Sequence, residues 1–414
     1  MRQLPADFFR APFDFYRALR AEGPVHRIRL RNGVRAWLVV DYDAAREVLH
    51  HPDIRKDPHT AQGAAARQAA AGESGVTAAN MRLSHHLLNA DPPRHARLRR
   101  LVTPAFAPAR MAALEPRVEA IAAELLDRIE RTAQAGNPVD LLAEYAFPLP
   151  ITVICELLGV PAEDREQFRA WSAAVVDTPM STPEGMRRAT DSIVDFFDRL
   201  VALRRTRGLG PDLISQLLAV SDDGDRLSHD ELISMAFLIL VAGHETTVNL
   251  IGNTVLALLD DPARYRAVHR DPAGVPALVE EMLRYNGPVN AATLRYTTAP
   301  VALGATVIPA GELVLVALAS ANRDERHFPN PAAFEPGRTS GHLAFGHGIH
   351  YCLGAGLARL EARIALTHLA RRFPALRLAV AADELRWRES ILIRGLIDLP
   401  VDPAGTPAAM RVVH

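Results

Sequence analysis

Two cysteines in 414 residues, Cys155 and Cys352, are too few for a disulfide framework and point to a reducing compartment. Positive charge is not in excess: 47 Lys+Arg against 48 Asp+Glu give a formal net charge of −1, without the basic footprint of a nucleic-acid binder. Lysine is almost missing. Lys56 is the only one, and the skew toward arginine matches a GC-rich genome. No Ser/Gly-rich linker, low-complexity run or internal repeat divides the chain, so residues 1–414 read as one domain. The N-terminal MRQLPADFFRAPFDFYRALR lacks the apolar core of a secretion signal, and LISMAFLILVAG at 232–243 is too short to cross a bilayer. These absences describe a cytoplasmic protein with no membrane anchor. With 49% hydrophobic residues it can bury a large core.

The pattern of what is present is mostly helical. Residues 13–21 and 43–50 read as short helices flanking two strands, PVHRIRL and AWLVV. Residues 51–90 carry few regular signals, and the Ala-rich 61–71 reads as a surface segment. Helical periodicity then predicts elements at 93–108, 110–135, 141–158, 162–176, 183–207, 211–220, 228–260 and 275–286. Strands return at 293–317, and a last long helix starts near Cys352. The fold class is mainly α with a small β portion. The β-rich part is 25–40, 293–317 and 375–400; the helical part is 93–286 and 352–370.

The 228–260 segment opens on a capping box, SHDE, and is then apolar all round, as a helix buried on every side must be. In its middle stands AGHETT, residues 242–247. Two threonines, a carboxylate and a histidine are costly in a core unless they have partners. They mark either a kink satisfied by local back-bonding or a ligand cleft crossing a central helix.

The loop FGHGIHYCLGAGLARLE, residues 345–361, surrounds Cys352 with glycines at the start of a helix, where amides and the helix dipole favour a thiolate. A phosphate loop would need Gly-Lys-Ser/Thr, a zinc site a second set of ligands, and a nucleophile a better-aimed base than His350. A thiolate serving a metal already held by something else fits these residues best. An inert cysteine in a Gly-rich turn is the alternative.

The loop resembles the heme-binding signature of the cytochrome P450 family, Phe-Gly-x-Gly-x-His-x-Cys-x-Gly, with Phe345, Gly346, Gly348, His350, Cys352 and Gly354 filling every fixed position. Other segments resemble the family in its usual order. DPPRHARLRR (91–100) carries His95 and Arg99 on one helix face, and Arg295 follows a strand start; the family turns these, with His350, toward the heme propionates. AGHETT matches the helix over the heme, with Ala242 and Gly243 against the cofactor and the acid–alcohol pair Glu245 and Thr246. Glu281, Arg284 and Arg338 resemble the family's buried ion-pair cluster. The resemblance spans essentially the whole chain and is of the soluble bacterial type.

It implies the cytochrome P450 fold with its long central helix over heme. It also implies a monooxygenase that inserts one oxygen atom of O2 into a C–H bond, with epoxidation of alkenes as a variant. Cys352 would ligate the iron of heme b, Glu245 and Thr246 would deliver protons, and Gly243 would leave room for dioxygen. Electrons would come from NAD(P)H through a ferredoxin reductase and a ferredoxin, docking on a face that holds Arg97, Arg100, Arg359 and Arg363. By analogy Leu238, Val241, Val289, Asn290, Ala292, Leu294 and Ile393 line the substrate pocket, together with the 65–90 loop, the 170–185 connection and a contribution from His244. A small-molecule substrate of medium to large size follows: a macrolide or other polyketide, a terpene or a steroid. The expected state is a monomer. Two rivals are a peroxide-driven peroxygenase and a non-catalytic heme sensor; the acid–alcohol pair disfavours both.

Overall fold

The computed structural model describes residues 1–31, 33–61, 83–133, 137–176, 183–219, 225–339 and 341–404. It is mainly helical with a small β portion, as the periodicity predicts. The central helix, His229–Leu259, begins on the expected capping box: Ser228 Oγ accepts from the Glu231 amide (3.2 Å) and Glu231 returns the contact to the Ser228 amide (3.0 Å). Its faces are apolar because helices Pro148–Leu158, Pro262–Arg270, Val275–Asn286 and Ala355–Arg372 all pack on it. The whole helix is long and apolar enough to cross a membrane, more than its 232–243 stretch suggested. Two-thirds of its most apolar window (67%) is nonetheless buried inside the fold, which makes it the core helix.

Six strands form the main sheet, in the order Arg2–Gln3, Val25–Arg29, Arg35–Val39, Leu313–Val316, Arg295–Thr297, Ile54–Arg55. The last pair is antiparallel, with Ile54 opposite Thr297 and Arg55 opposite Tyr296. This register delivers Arg295, and the chain just after Arg55, to the edge of the helical body.

Prolines move the predicted helix bounds. The element expected at 93–108 is Arg94–Val102 followed by a 3-10 turn holding Pro104, and 110–135 divides into Pro108–Ala113 and Glu115–Ala133. Helix Pro262–Arg270, capped by Asp261, was not predicted. The last helix starts at Ala355, which leaves Cys352 in the turn before it. Of the expected pocket walls, 62–82 and 177–182 lie outside the described residues, and most of the Ala-rich segment with them.

Candidate functional site

The turn that holds Cys352 is closed by its own backbone: the Cys352 amide donates to Phe345 O (2.9 Å) and the Gly346 amide to Leu343 O (2.8 Å). Gly346 (φ 75°) and Gly348 (φ 71°) occupy the left-handed region that β-carbons disfavour. A side chain at Gly348 would also come within 3.1 Å of Leu49 O. Gly354 caps helix Ala355–Arg372, so the sulfur sits at the positive end of an 18-residue helix. Burial pushes the Cys352 thiol up, while the Gly354 amide, Arg99 and Arg359 pull it toward thiolate. Among the described residues no group of three His, Cys, Asp or Glu side chains could hold a metal ion.

Helix Arg94–Val102 is held from one side and open on the other. Arg97 grips both carboxyl oxygens of Glu231 at 2.9 Å, and Arg94 adds a contact at 3.4 Å, which fixes this helix to the start of the central one. His95 and Arg99 lie on the opposite side. Arg99 donates to Tyr351 O (2.9 Å), beside the cysteine, and the His95 ring stands edge-on to His350 with centroids 4.5 Å apart. Arg295, 4% exposed, joins them from the sheet. His95 Nε2, His350 Nε2 and Arg295 Nε are buried and have no hydrogen-bond partner among the described residues.

These groups repel one another. Burial and then Arg99 press His95 down to about 4; burial, Lys56 and Arg295 press His350 down further; burial lowers Arg295 to about 10. Buried donors without acceptors and cations without counter-charge cost free energy. An incoming group with two carboxylates would relieve both costs, and heme, with two propionates and an iron that takes one thiolate, fits them.

The central helix presents an open stretch here. Phe237, Leu238, Val241, Ala242, Gly243 and Thr246 retain accessible surface, with Leu238, Ala242 and Thr246 at the i, i+4 spacing of one face. Thr246 Oγ1 donates to Ala242 O (2.9 Å), the back-bonding that AGHETT suggested. Glu245 points elsewhere. Its carboxylate pairs with Arg388 (2.8 Å) and accepts from Asn249 Nδ2 (3.1 Å), with His244 Nε2 at 3.8 Å. Glu361 was not singled out in the sequence, yet it is 1% exposed beneath the central helix with neither carboxyl oxygen hydrogen-bonded. Burial raises it to about 8, and the neighbouring Thr247 only partly opposes this.

Two sequence expectations need correction. Asn290 does not offer its amide to a pocket: Oδ1 accepts from Tyr16 (3.2 Å) and Nδ2 donates to Ile391 O (2.9 Å). His244 is fully buried against Phe147, with Nδ1 on Leu240 O (2.8 Å). A β-carbon at Gly243 would lie 2.9 Å from Ile154 Cδ1, so helix packing by itself requires a glycine at this half-buried position. Val289 and Ile393 do come together, as an antiparallel bridge, and they are half-buried like Ala292 and Leu294. Arg388 was also missed. It reaches Glu245 from the ribbon closed by Trp387 and Leu396, where Gly395 lets Asn249 approach.

Comparison with known proteins identifies the arrangement. The family profile described as Cytochrome P450 matches residues 6–167 and 274–380. Cytochrome P450 107B1 of Saccharopolyspora erythraea is 49% identical over 389 residues, 94% of each chain. Vitamin D(3) 25-hydroxylase of Pseudonocardia autotrophica is 46% identical, covering 95% of this chain and 94% of that one. The solved tirandamycin C-bound P450 monooxygenase TamI superimposes with a TM-score of 0.86 at 41% identity, over 97% of this chain and 99% of that one.

Proposed function

The chain belongs to the cytochrome P450 family and is a monooxygenase of that family, and from that premise we propose that it hydroxylates a medium-to-large hydrophobic natural product, a macrolide or other polyketide before a terpene or steroid. Heme, when held by these residues, would supply the O2-activating chemistry of a monooxygenase, with the electrons and protons delivered from outside it. The chain supplies the surroundings. Cys352 is the thiolate ligand, tempered by the Gly354 amide and Arg99. Arg99 and Arg295 would neutralise the propionates and His95 and His350 would hydrogen-bond them, and Phe345 flanks the turn with its ring under the Arg359 guanidinium, 4.4 Å from the centroid. Thr246 passes a proton from its hydroxyl on the open stripe. Glu245 replenishes it once released from Arg388, whose side chain is 21% exposed and so links a buried acid to solvent.

The observation that carries this reading is the set of orphaned donors at His95, His350 and Arg295 beside a thiol at a helix start. The substrate class rests on the apolar stripe Leu238, Val241 and Ala242, on Val289, Ala292, Leu294 and Ile393 as further walls, and on relatives whose names give vitamin D(3) and tirandamycin C as ligands. Electrons come from NAD(P)H through a ferredoxin. Of the four arginines expected at its docking face, Arg97 is spent on Glu231 and Asp225, Arg359 on Glu280 and Arg363 on Glu115, so a partner would have to displace these carboxylates. The burial of the core helix inside the fold supports reading it as no membrane span.

Titration of the heme-loaded enzyme with a panel of macrolides, linear polyketides, terpenes and steroids tests the substrate class. A low-to-high-spin shift with polyketides is expected; a shift confined to small polar molecules would overturn it. Product formed from peroxide alone, with no need for O2 and reductase, would favour the peroxygenase instead.

A further inference from the structure

The chain's only lysine is buried at the site just described. Lys56 is 6% exposed and follows strand Ile54–Arg55. The antiparallel register that sets Ile54 against Thr297 and Arg55 against Tyr296, carried one residue on, sets Lys56 against Arg295. Like charges facing each other across strands are destabilising, and both of these are desolvated. The surroundings add further basic groups. Lys56 is among the charges that depress His95, His350 and His86, and His86 is itself buried with Nδ1 unpartnered.

Counter-charge is scarce. The Asp91 carboxylate, the nearest acid, is occupied by the backbone amides of Lys56 (3.0 Å) and Asp57 (2.9 Å). Asp57 faces Arg94 at 4.0 Å and caps the His59 amide. Among the described residues the acceptor shown for Lys56 Nζ is the neutral Thr293 Oγ1, at 2.7 Å, which leaves two ammonium protons to place. Asp91 itself clamps the Lys56 segment to the first turn of helix Arg94–Val102, since its carbonyl accepts from the His95 amide (2.9 Å).

We propose that Lys56 is a fifth propionate-binding residue: its ammonium, aimed by Thr293 and by the Asp91 clamp, donates to a heme carboxylate beside Arg295. This rests on the heme-thiolate reading, and it explains why a chain that otherwise uses arginine throughout keeps one lysine here. Opposite Arg295, a compact point charge on a flexible stem fits where a second planar fork would collide.

The test uses purified heme-loaded enzyme with Lys56→Met, Lys56→Gln, Lys56→Arg and Thr293→Val. Heme transfer to an excess of apomyoglobin should be at least about tenfold faster in Lys56→Met, the scale of one charge-assisted hydrogen bond. The ferric–ferrous midpoint potential should move to more negative values, and the propionate bending bands in the resonance Raman spectrum should shift. Thr293→Val should stay within about threefold of wild type, on the scale of a neutral contact, whereas Lys56→Arg, whose planar fork does not fit opposite Arg295, should not restore wild-type heme retention. Unchanged release, potential and Raman bands in Lys56→Met would overturn the proposal. So would a Thr293→Val enzyme that reproduces the whole effect, because the lysine would then act only as a strut. If Lys56→Met does not keep heme through purification, Lys56→Gln is judged by the same three readouts. Failure of wild type to bind heme would instead strike the heme-thiolate reading itself.

Discussion

Two clusters of buried charge, around Arg284 and around Arg295, differ in how completely they are satisfied. Around Arg284 every donor has an acceptor. Nε and Nη2 take both oxygens of Glu281 (2.8 and 2.7 Å), and Nη1 and Nη2 reach the carbonyls of Asn322, Pro331 and Ala333. Glu281 also accepts from the Glu335 amide (2.8 Å) and Arg338 (3.1 Å). Although burial opposes it, these contacts hold the Glu281 carboxyl below its ordinary range. Around Arg295 the opposite holds: cations and imidazoles face one another, and three of their nitrogens have no partner. A closed cluster supports the fold, whereas an open one of the same residue types is shaped for a ligand.

The contrast predicts different failures. Arg284→Met strands a buried carboxylate and should cost about 3–5 kcal/mol of stability. Thermal unfolding checks this, and the loss should be present whether or not heme is bound. Arg295→Met removes a charge that the protein alone does not satisfy. Heme release should accelerate about 10–100-fold, the worth of a hydrogen bond to a charged group, while unfolding of the heme-free chain should not be hastened. Equal effects of the two variants on heme-free stability would erase the distinction between the clusters.

A subtler comparison separates the two acids near the central helix. Glu245 is paired and Glu361 is not. Thr246→Ala should leave heme binding intact but divert electrons, so that peroxide released per NAD(P)H rises several-fold and product falls. Tight coupling would remove Thr246 from proton delivery. Glu361 should matter only through pH. Its folded value of about 8 lies above that of an unfolded chain, so the neutral acid is favoured by the fold. That contribution is complete below the ordinary carboxylate range and is lost as pH rises through about 8. Thermal midpoints of Glu361→Gln should therefore fall less than wild type between pH 5 and 9, by a few kcal/mol at most. Parallel pH curves would contradict the raised value.

These residues also show what the sequence could reveal. The turn 345–354 was legible because its requirements are local: left-handed glycines, a closing backbone and a helix start fix residue types at fixed spacing. Helical spacing put His95 and Arg99 on one face, but only the family resemblance pointed that face at a cofactor. The others depend on contacts that spacing does not encode. Lys56 meets Arg295 only through strand register, Arg388 meets Glu245 only where a C-terminal ribbon crosses the central helix, and Glu361 is buried only because helix Ala355–Arg372 packs on the central helix. Asn290 had the right position for a pocket, but partners from both ends of the chain, Tyr16 and Ile391, consume its amide. The arginines expected to dock a ferredoxin looked free in sequence because the carboxylates that pair with Arg97, Arg359 and Arg363 come from other elements.

The measurement that bears most directly on the account is the carbon-monoxide difference spectrum of the reduced, heme-loaded enzyme, taken for wild type and Cys352→Ser. Wild type should give the band after which the family is named, and the variant should lose it while still holding heme through His95, Arg99, Arg295 and His350. A band retained by Cys352→Ser would mean that another residue ligates the iron and that the turn at 345–354 is not its cradle.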